Sequence, residues 1–401
     1  MKKGYLGAIL VVLVLTGSTF AGPEPDGSMR VWLDGEYLLW WLKPAPVSPP
    51  LLTTGPLTNP ISLGSGILGQ PNTQVLAGDS NLNQGPFSGF RVGAGWINCD
   101  NSFGVDGNFF YLSQRGTSFG FNSDDFGNPV LARPIIDARA GNETVLFVSA
   151  PNAFNGSFNV ASTTNLYGFD ANMLLPIERN GEPDEVTTYL TALGGFRYLN
   201  LRDGLTISQS SAVIGNGISF FDGQPLTAGS NIALADTFRT LNQFYGGQIG
   251  VRGGISWWRF TVNGTAKVAL GTMREEAKIS GSTAALDPTI GLNAVTSGGL
   301  YALPSNSGSF TRNILAVVPE GNLWFSVEIT PQIRLMMGYT ILYFSNVARP
   351  GDLISRSVDR TRIPSSQAFN PAVPGPSQPS FSWNGTDFWA QGINFGISLR
   401  F

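Results

Sequence analysis

Histidine is absent from the 401-residue chain, and cysteine occurs once, at Cys99. Without imidazole there is no His-based catalytic triad, no His metal site and no charge switch near neutral pH. A single thiol excludes an intramolecular disulfide framework and a thiolate metal cluster. Charged residues make up only 13% of the chain, about half the usual share for a soluble domain. After the N-terminal leader no run reaches the ~20 consecutive apolar residues of a membrane helix. What is plentiful is 50 Gly, 27 Phe, 10 Tyr and 9 Trp, a poor composition for helices. The expectation is a β-rich protein that is not an enzyme, with no catalytic residue, cofactor or metal.

Residues 1–21 (MKKGYLGAILVVLVLTGSTFA) run in the order basic, apolar, small. Lys2 and Lys3 precede the apolar stretch around Ile9–Leu15, and Thr19-Phe20-Ala21 places small residues at positions −3 and −1 of a cleavage site. The segment reads as a cleaved signal peptide, leaving a domain over 22–401. Removing Lys2 and Lys3 leaves 22 basic against 27 acidic residues, a formal charge of −5. That balance argues against a nucleic-acid partner.

The C-terminal stretch Asp387–Phe401 alternates with period two. Trp389, Ile393, Phe395, Ile397, Leu399 and Phe401 share one face, interrupted only by Gln391. Ala390, Gly392, Asn394, Gly396, Ser398 and Arg400 share the other. A greasy face backed by a small or polar one suits a strand with lipid outside and water inside. The terminal aromatic row also matches the signal that outer-membrane assembly machinery reads. Asn322–Thr330 and Ile333–Phe344 repeat the pattern on either side of Pro331, which cannot donate to a ladder. An odd-length loop there sets Ile329 opposite Ile333 and Glu328 opposite Arg334, predicting a cross-strand ion pair on the inner face.

Further strands are read at Arg30–Leu42, Ser88–Ile97, Phe103–Leu112, Glu143–Ser149, Phe158–Asp170, Val186–Leu199, Leu205–Ser211, Asp236–Val251 and Trp257–Thr272. The expected fold is all-β: a single transmembrane antiparallel up-and-down barrel of about 12 strands (10–14). Connections alternate between short segments (98–102, 150–157, 200–204, 252–256, 330–332) and long ones (43–87, 113–142, 171–185, 212–235, 273–321, 345–386). Short periplasmic turns and long, partly mobile extracellular loops follow, with both termini in the periplasm. Residues 311–318 stay apolar within a predicted loop, so they read as a loop strand or a plug. Trp40, Trp41, Trp257, Trp258, Trp324, Trp383 and Trp389 lie near strand ends or loop edges, as an interfacial girdle would, although Trp40 and Trp324 face inward by parity.

Several blocks are familiar. Gly338–Asp352 (GYTILYFSNVARPGD), Gly195-Phe-Arg-Tyr-Leu199, the Asp236–Gln248 run, Lys267-Val-Ala-Leu-Gly271 and the opening Trp32–Trp41 resemble the planctomycete outer-membrane β-barrel porin family, porin family seven. The likeness extends in order from Trp32 to Phe401. It implies one barrel in the outer membrane of a Gram-negative-type envelope, and says little about a solute.

Parity places Asp34, Glu36, Arg91, Asp106, Arg197, Arg252, Lys267, Glu328, Arg334 and Asn394 on the lumen. The expected partners are outer-membrane lipid, the barrel assembly machinery and small ions or polar solutes, and a homo-oligomer is left open. A passive channel is the leading expectation, with selectivity set by lumen width and charge. The alternative is a structural or adhesive barrel with a filled lumen and functional loops. A phospholipase-type barrel would need a base for its serine, and no histidine is there to serve. Gly64–Gly69 satisfies G-x-G-x-x-G but lacks the strand–helix setting of a nucleotide site.

Overall fold

The computed structural model describes residues 30–56, 64–180 and 186–401, so the segment read as a signal peptide lies outside them. Ten long strands pair in sequence order: β1 (Arg30–Leu42), β2 (Phe87–Ile97), β3 (Gly104–Asn122), β4 (Phe154–Asn180), β5 (Thr187–Val213), β6 (Asn231–Trp257), β7 (Phe260–Asp287), β8 (Gly308–Thr330), β9 (Ile333–Ala348) and β10 (Gly385–Arg400). Every neighbouring pair is antiparallel, and β10 returns to pair with β1, opposing Leu33 to Leu399 and Tyr37 to Phe395. The array is an up-and-down ring in which each strand has two partners.

Ten strands fall within the expected range of 10–14, two fewer than the twelve segments read from the sequence. Val186–Leu199 and Leu205–Ser211 are one strand, β5, because the polar run 200–204 pairs straight through with β4 and β6. Glu143–Ser149 leaves the ring altogether and pairs with Leu131–Asp137. Residues 311–318 are neither plug nor loop strand but the first half of β8, paired with β7. Connections still alternate. Tight turns at 98–103, 258–259 and 331–332 mark one end, and the long connections gather at the other. The expected short links 150–157 and 200–204 fall at the loop end and inside β5 respectively, and most of the expected long link 171–185 is strand.

The faces invert the usual burial of a water-soluble sheet. Ile249, Leu270, Leu323 and Met337 are exposed on the outside, while Arg197, Lys267 and Glu320 are buried inside. Lipid is the solvent that makes this arrangement stable. On β4 the outward greasy stretch Tyr167–Ile177 matches the roughly 9–11 residues of a tilted membrane strand. Aromatic side chains bound the belt. On the loop side Tyr37, Phe90, Tyr111 and Tyr167 oppose one another across β1–β4, and Tyr198 opposes Tyr245. On the other side Trp257 and Trp258 are exposed, and Phe260 stacks 5.8 Å from Phe325. Such rings seat well at the headgroup level.

Beyond the tyrosine belt the strands continue, and their amphipathicity reverses. On β5 the outward row becomes Arg202, Thr206, Ser208 and Ser210, while Leu201, Leu205 and Ile207 turn inward and are buried. This upper part is covered by a head. Ala45–Thr54, Gln74–Leu82, Leu131–Asp137, Glu143–Ser149 and Ser357–Val358 form a five-stranded sheet. Val47, Leu51, Leu52 and Ile135 from that sheet share one buried cluster with Val160, Ile207, Phe238 and Ile279 of the barrel. Among the described residues, much of the long connections is therefore packed into this head.

The turn between β8 and β9 has Glu328 opposite Arg334, but Thr330 rather than Ile329 faces Ile333. A register shift after Glu328 absorbs the odd residue, leaving a two-residue turn in place of the expected odd loop.

Candidate functional site

The interior is built from inward rows of all ten strands, and it stratifies. Nearest the short turns, Arg334 Nη2 lies 2.8 Å from Glu328 Oε2, both partly exposed. Asp34 sits at this level opposite Ser398. Deeper in, Arg252 Nη2 of β6 meets Asp106 Oδ2 of β3 at 2.7 Å, and Asn172 Nδ2 donates to Asp106 Oδ1 at 2.7 Å.

Above them is a buried tetrad. Arg197 contacts Glu320 and lies 3.1 Å from Asp170, while Lys267 Nζ is 2.9 Å from Asp170 and 3.5 Å from Glu320. Two acids and two bases, all largely buried, compensate one another, the condition under which buried charges are tolerated. The contacts Arg197–Glu320, Lys267–Asp170 and Arg252–Asp106 each join strands three steps apart in the ring, so they cross the interior instead of running along the wall. Beside the tetrad Arg91 is 3.3 Å from Glu36 and lies 5.5 Å above the Trp40 ring.

The next layer is apolar. Trp40 is fully buried, and its Nε1 donates to Asn394 Oδ1 at 2.7 Å, whose amide donates in turn to Thr340 Oγ1 at 2.7 Å. Leu38, Phe110, Leu112, Leu199, Phe244, Met273, Phe344 and Phe388 complete a cluster across the section. Two glycines make room for the indoles: a Cβ at Gly392 would lie 2.5 Å from Trp40, and one at Gly338 2.4 Å from Trp324. Asp203 and Arg349 close the top of this layer at 2.9 Å.

The parity-derived residues therefore stand in two settings. Arg91, Asp106, Arg197, Lys267 and Asn394 are buried inside, whereas Asp34, Glu36, Arg252, Glu328 and Arg334 are partly buried on the same face. Asp170 and Glu320 complete the tetrad but escape the sequence reading. Asp170 was the last residue of its predicted strand, where the parity after Phe169 did point inward. Glu320 fell in a segment read as loop. In the terminal strand Phe395, Ile397, Leu399 and Phe401 are exposed outward, Trp389 and Ile393 half so, and Phe401 exchanges backbone hydrogen bonds with Val31. Cys99 is exposed in the turn 98–103.

The head has its own ionic ties. Arg139 Nε and Nη2 donate to the two Asp359 oxygens at 2.8 and 3.0 Å, and Thr361 donates to the same carboxylate through backbone N–H and hydroxyl. Burial alone would raise the Asp359 pKa. The bonds from Arg139 and Thr361 outweigh it and hold the group below the ordinary range. A depressed carboxylate stabilises the fold above its unfolded pKa of about 3.9 and loses that contribution as pH falls through the folded value. Hydrogen exchange at residues 357–362, corrected for intrinsic rate, is thus expected to be slow and unchanged from pH 7 to 5 and to accelerate below pH 4. Equal protection at pH 3 and 6 would remove the pair from the stability of the head.

No curated protein matches the sequence. Among solved structures, the outer membrane protease OmpT from Escherichia coli aligns with 9% identity over 96% of this chain and 100% of its own, at a TM-score of 0.39. A TodX monoaromatic hydrocarbon channel mutant aligns at 8% over 94% and 90%, and a Pseudomonas aeruginosa FadL homologue at 7% over 93% and 90%, each with a TM-score of 0.22. Likenesses this distant carry no functional argument. The family match is of another order: the model described as "Putative beta barrel porin-7 (BBP7)" covers residues 32–401, and this chain, an outer-membrane β-barrel, belongs to that family.

Proposed function

We propose that the barrel is closed in its resting state and serves as a membrane post for the folded head, a structural or surface-contact role without catalysis. One observation carries this reading: the tetrad Asp170, Arg197, Lys267 and Glu320 and the Trp40 cluster occupy the section of the ring with side chains from opposite walls. On this reading residues 1–21 are the export signal, and the outward row Trp389, Ile393, Phe395, Ile397, Leu399 and Phe401 is read by the assembly machinery. The ten inward polar positions then act as a filled network rather than as a path.

The passive channel for ions or small polar solutes is the second reading. It draws on the polarity of the lower interior and on the fact that only side chains, which can change rotamer, block the tetrad level. Planar-bilayer recording on the refolded chain separates the two. Heat-modifiable folded protein is expected to give no discrete current steps at moderate voltage. Sustained steps from the unaltered protein would overturn the closed barrel in favour of the channel.

A further inference from the structure

Twelve of the 22 cations among the described residues have an acidic partner within 4 Å, and of the ten that do not, Arg202, Arg239, Arg274 and Lys278 gather on one outer face. All four point outward and are exposed, on the adjacent strands β5, β6 and β7. They lie on the loop side of the tyrosine belt, two to six residues beyond it: Arg202 is four residues past Tyr198 on β5, Tyr245 pairs with Thr272, two residues before Arg274, and Arg239 and Lys278 stand six residues past Tyr245 and Thr272.

Two details of the patch are unfavourable for an isolated protein. Arg239 stands directly opposite Lys278 in the ladder, a like-charge cross-strand pair that costs stability unless an anion bridges it. Glu276, between Arg274 and Lys278 on β7, accepts only a 3.4 Å bond from Ser309. Arg202 is also held in place. Its Nε donates to Asn200 Oδ1 at 3.1 Å and its guanidinium lies 5.9 Å from the centre of the Tyr167 ring, leaving the terminal nitrogens free to donate. Asn200 and Gln243 both donate to the Tyr198 hydroxyl, at 3.0 and 3.1 Å, fixing a polar floor beneath the cations.

We infer that this face of β5, β6 and β7 is a docking surface for anionic, phosphate-bearing lipid headgroups, with Arg202, Arg239, Arg274 and Lys278 as the contacts and the tyrosine belt against the upper acyl chain. The inference rests on the outer-membrane reading above. The height of the patch selects the partner: a headgroup at the edge of the greasy belt presents its phosphate where these cations are, and guanidinium groups suit phosphate oxygens in fork geometry. A juxtamembrane cation contributes about a fivefold gain toward an anionic surface.

The test is native mass spectrometry of the full chain in neutral detergent, titrated separately with lipid A, phosphatidylglycerol, phosphatidylcholine and inorganic phosphate. Retained adducts are expected for lipid A and phosphatidylglycerol, and not for phosphatidylcholine. Inorganic phosphate, lacking the acyl contact, should fail to displace lipid A at equal concentration. Changing all four cations to Gln should weaken the lipid A adduct at least a hundredfold. The pair Arg239→Gln and Lys278→Gln should weaken it more than tenfold, while raising the lipid-free melting temperature by relieving repulsion. That gain keeps the idea testable even if the fourfold variant misfolds. Undiminished adducts in a folded variant, equal affinity for phosphatidylcholine, or displacement by inorganic phosphate would overturn the inference. Failure of the protein to float with vesicles would instead overturn the membrane reading itself.

Discussion

Asp236→Ala is expected to destabilise the head by about 3–5 kcal/mol, the cost of stranding one partner of a buried ion pair. Asp236 Oδ2 lies 2.7 Å from Arg133 Nη2, and both side chains are fully buried. The other oxygen accepts three consecutive backbone N–H groups, from Leu300, Tyr301 and Ala302, at 2.8–3.0 Å. Alanine leaves a buried guanidinium and three orphaned donors together. The surroundings cannot rescue them. Arg133 has one further bond, to Gln209 at 3.1 Å, and faces the Tyr301 ring at 4.5 Å. Tyr301 is committed to Pro134 O, and burial pushes its hydroxyl pKa up to about 12. Arg133→Met should cost less, because the carboxylate keeps its three N–H donors. Protease susceptibility of the 349–384 segment in detergent, alongside thermal melting, reads the ordering. Two variants of equal stability, or an Asp236→Ala protein as resistant as the parent, would show that the head is not held at this point.

Glu320→Ala should turn a silent barrel into a noisy one. Its loss leaves Arg197 and Lys267 sharing only Asp170, an uncompensated positive charge where Glu320 had met Arg197 across the ring and Lys267 on the neighbouring strand. A cost of about 3–5 kcal/mol is expected, with water drawn in to solvate the surplus charge. Bilayer recordings should then show flickering, anion-preferring steps. Adding Lys267→Met removes the surplus, leaves the Arg197–Asp170 pair at 3.1 Å, and should restore both quiet and most of the stability. If the single variant stays silent at full stability, the tetrad is not what closes the section.

The reach of the sequence can be seen strand by strand. Where a strand crosses lipid, a greasy outward row stands out against polar neighbours, and β1, β2 and β10 match the expected bounds to within two residues, while β9 runs four residues past its expected end. Where the same strand rises out of the lipid, the alternation persists but its sense reverses. Asn200-Leu-Arg-Asp-Gly204 looked like a turn, although Leu201 faces the core and Arg202 faces water. In β3 a second obstacle intervened. A register shift between Leu112 and Arg115 moves the inward row from even to odd positions, so Phe119 and Phe121, which pack against the head, fell out of phase. The interior was legible wherever parity ran unbroken, and its partners were not. That Arg197 meets Glu320 depends on the diameter and stagger of the closed ring, which no single strand encodes.

The continuous strands also have a mechanical meaning. β5, β6 and β7 pass without interruption from the short turns, through the lipid, to the base of the head, so that Val213 stands about 35–40 Å beyond Tyr198 at ordinary strand rise and tilt. A tug on the head is carried along the length of these strands. Their ladder hydrogen bonds are then loaded side by side, in shear, rather than opened one after another as in peeling. The molecule is thus built like a riveted strut: under tension, the grip of the greasy belt on the lipid should fail before the strut unravels.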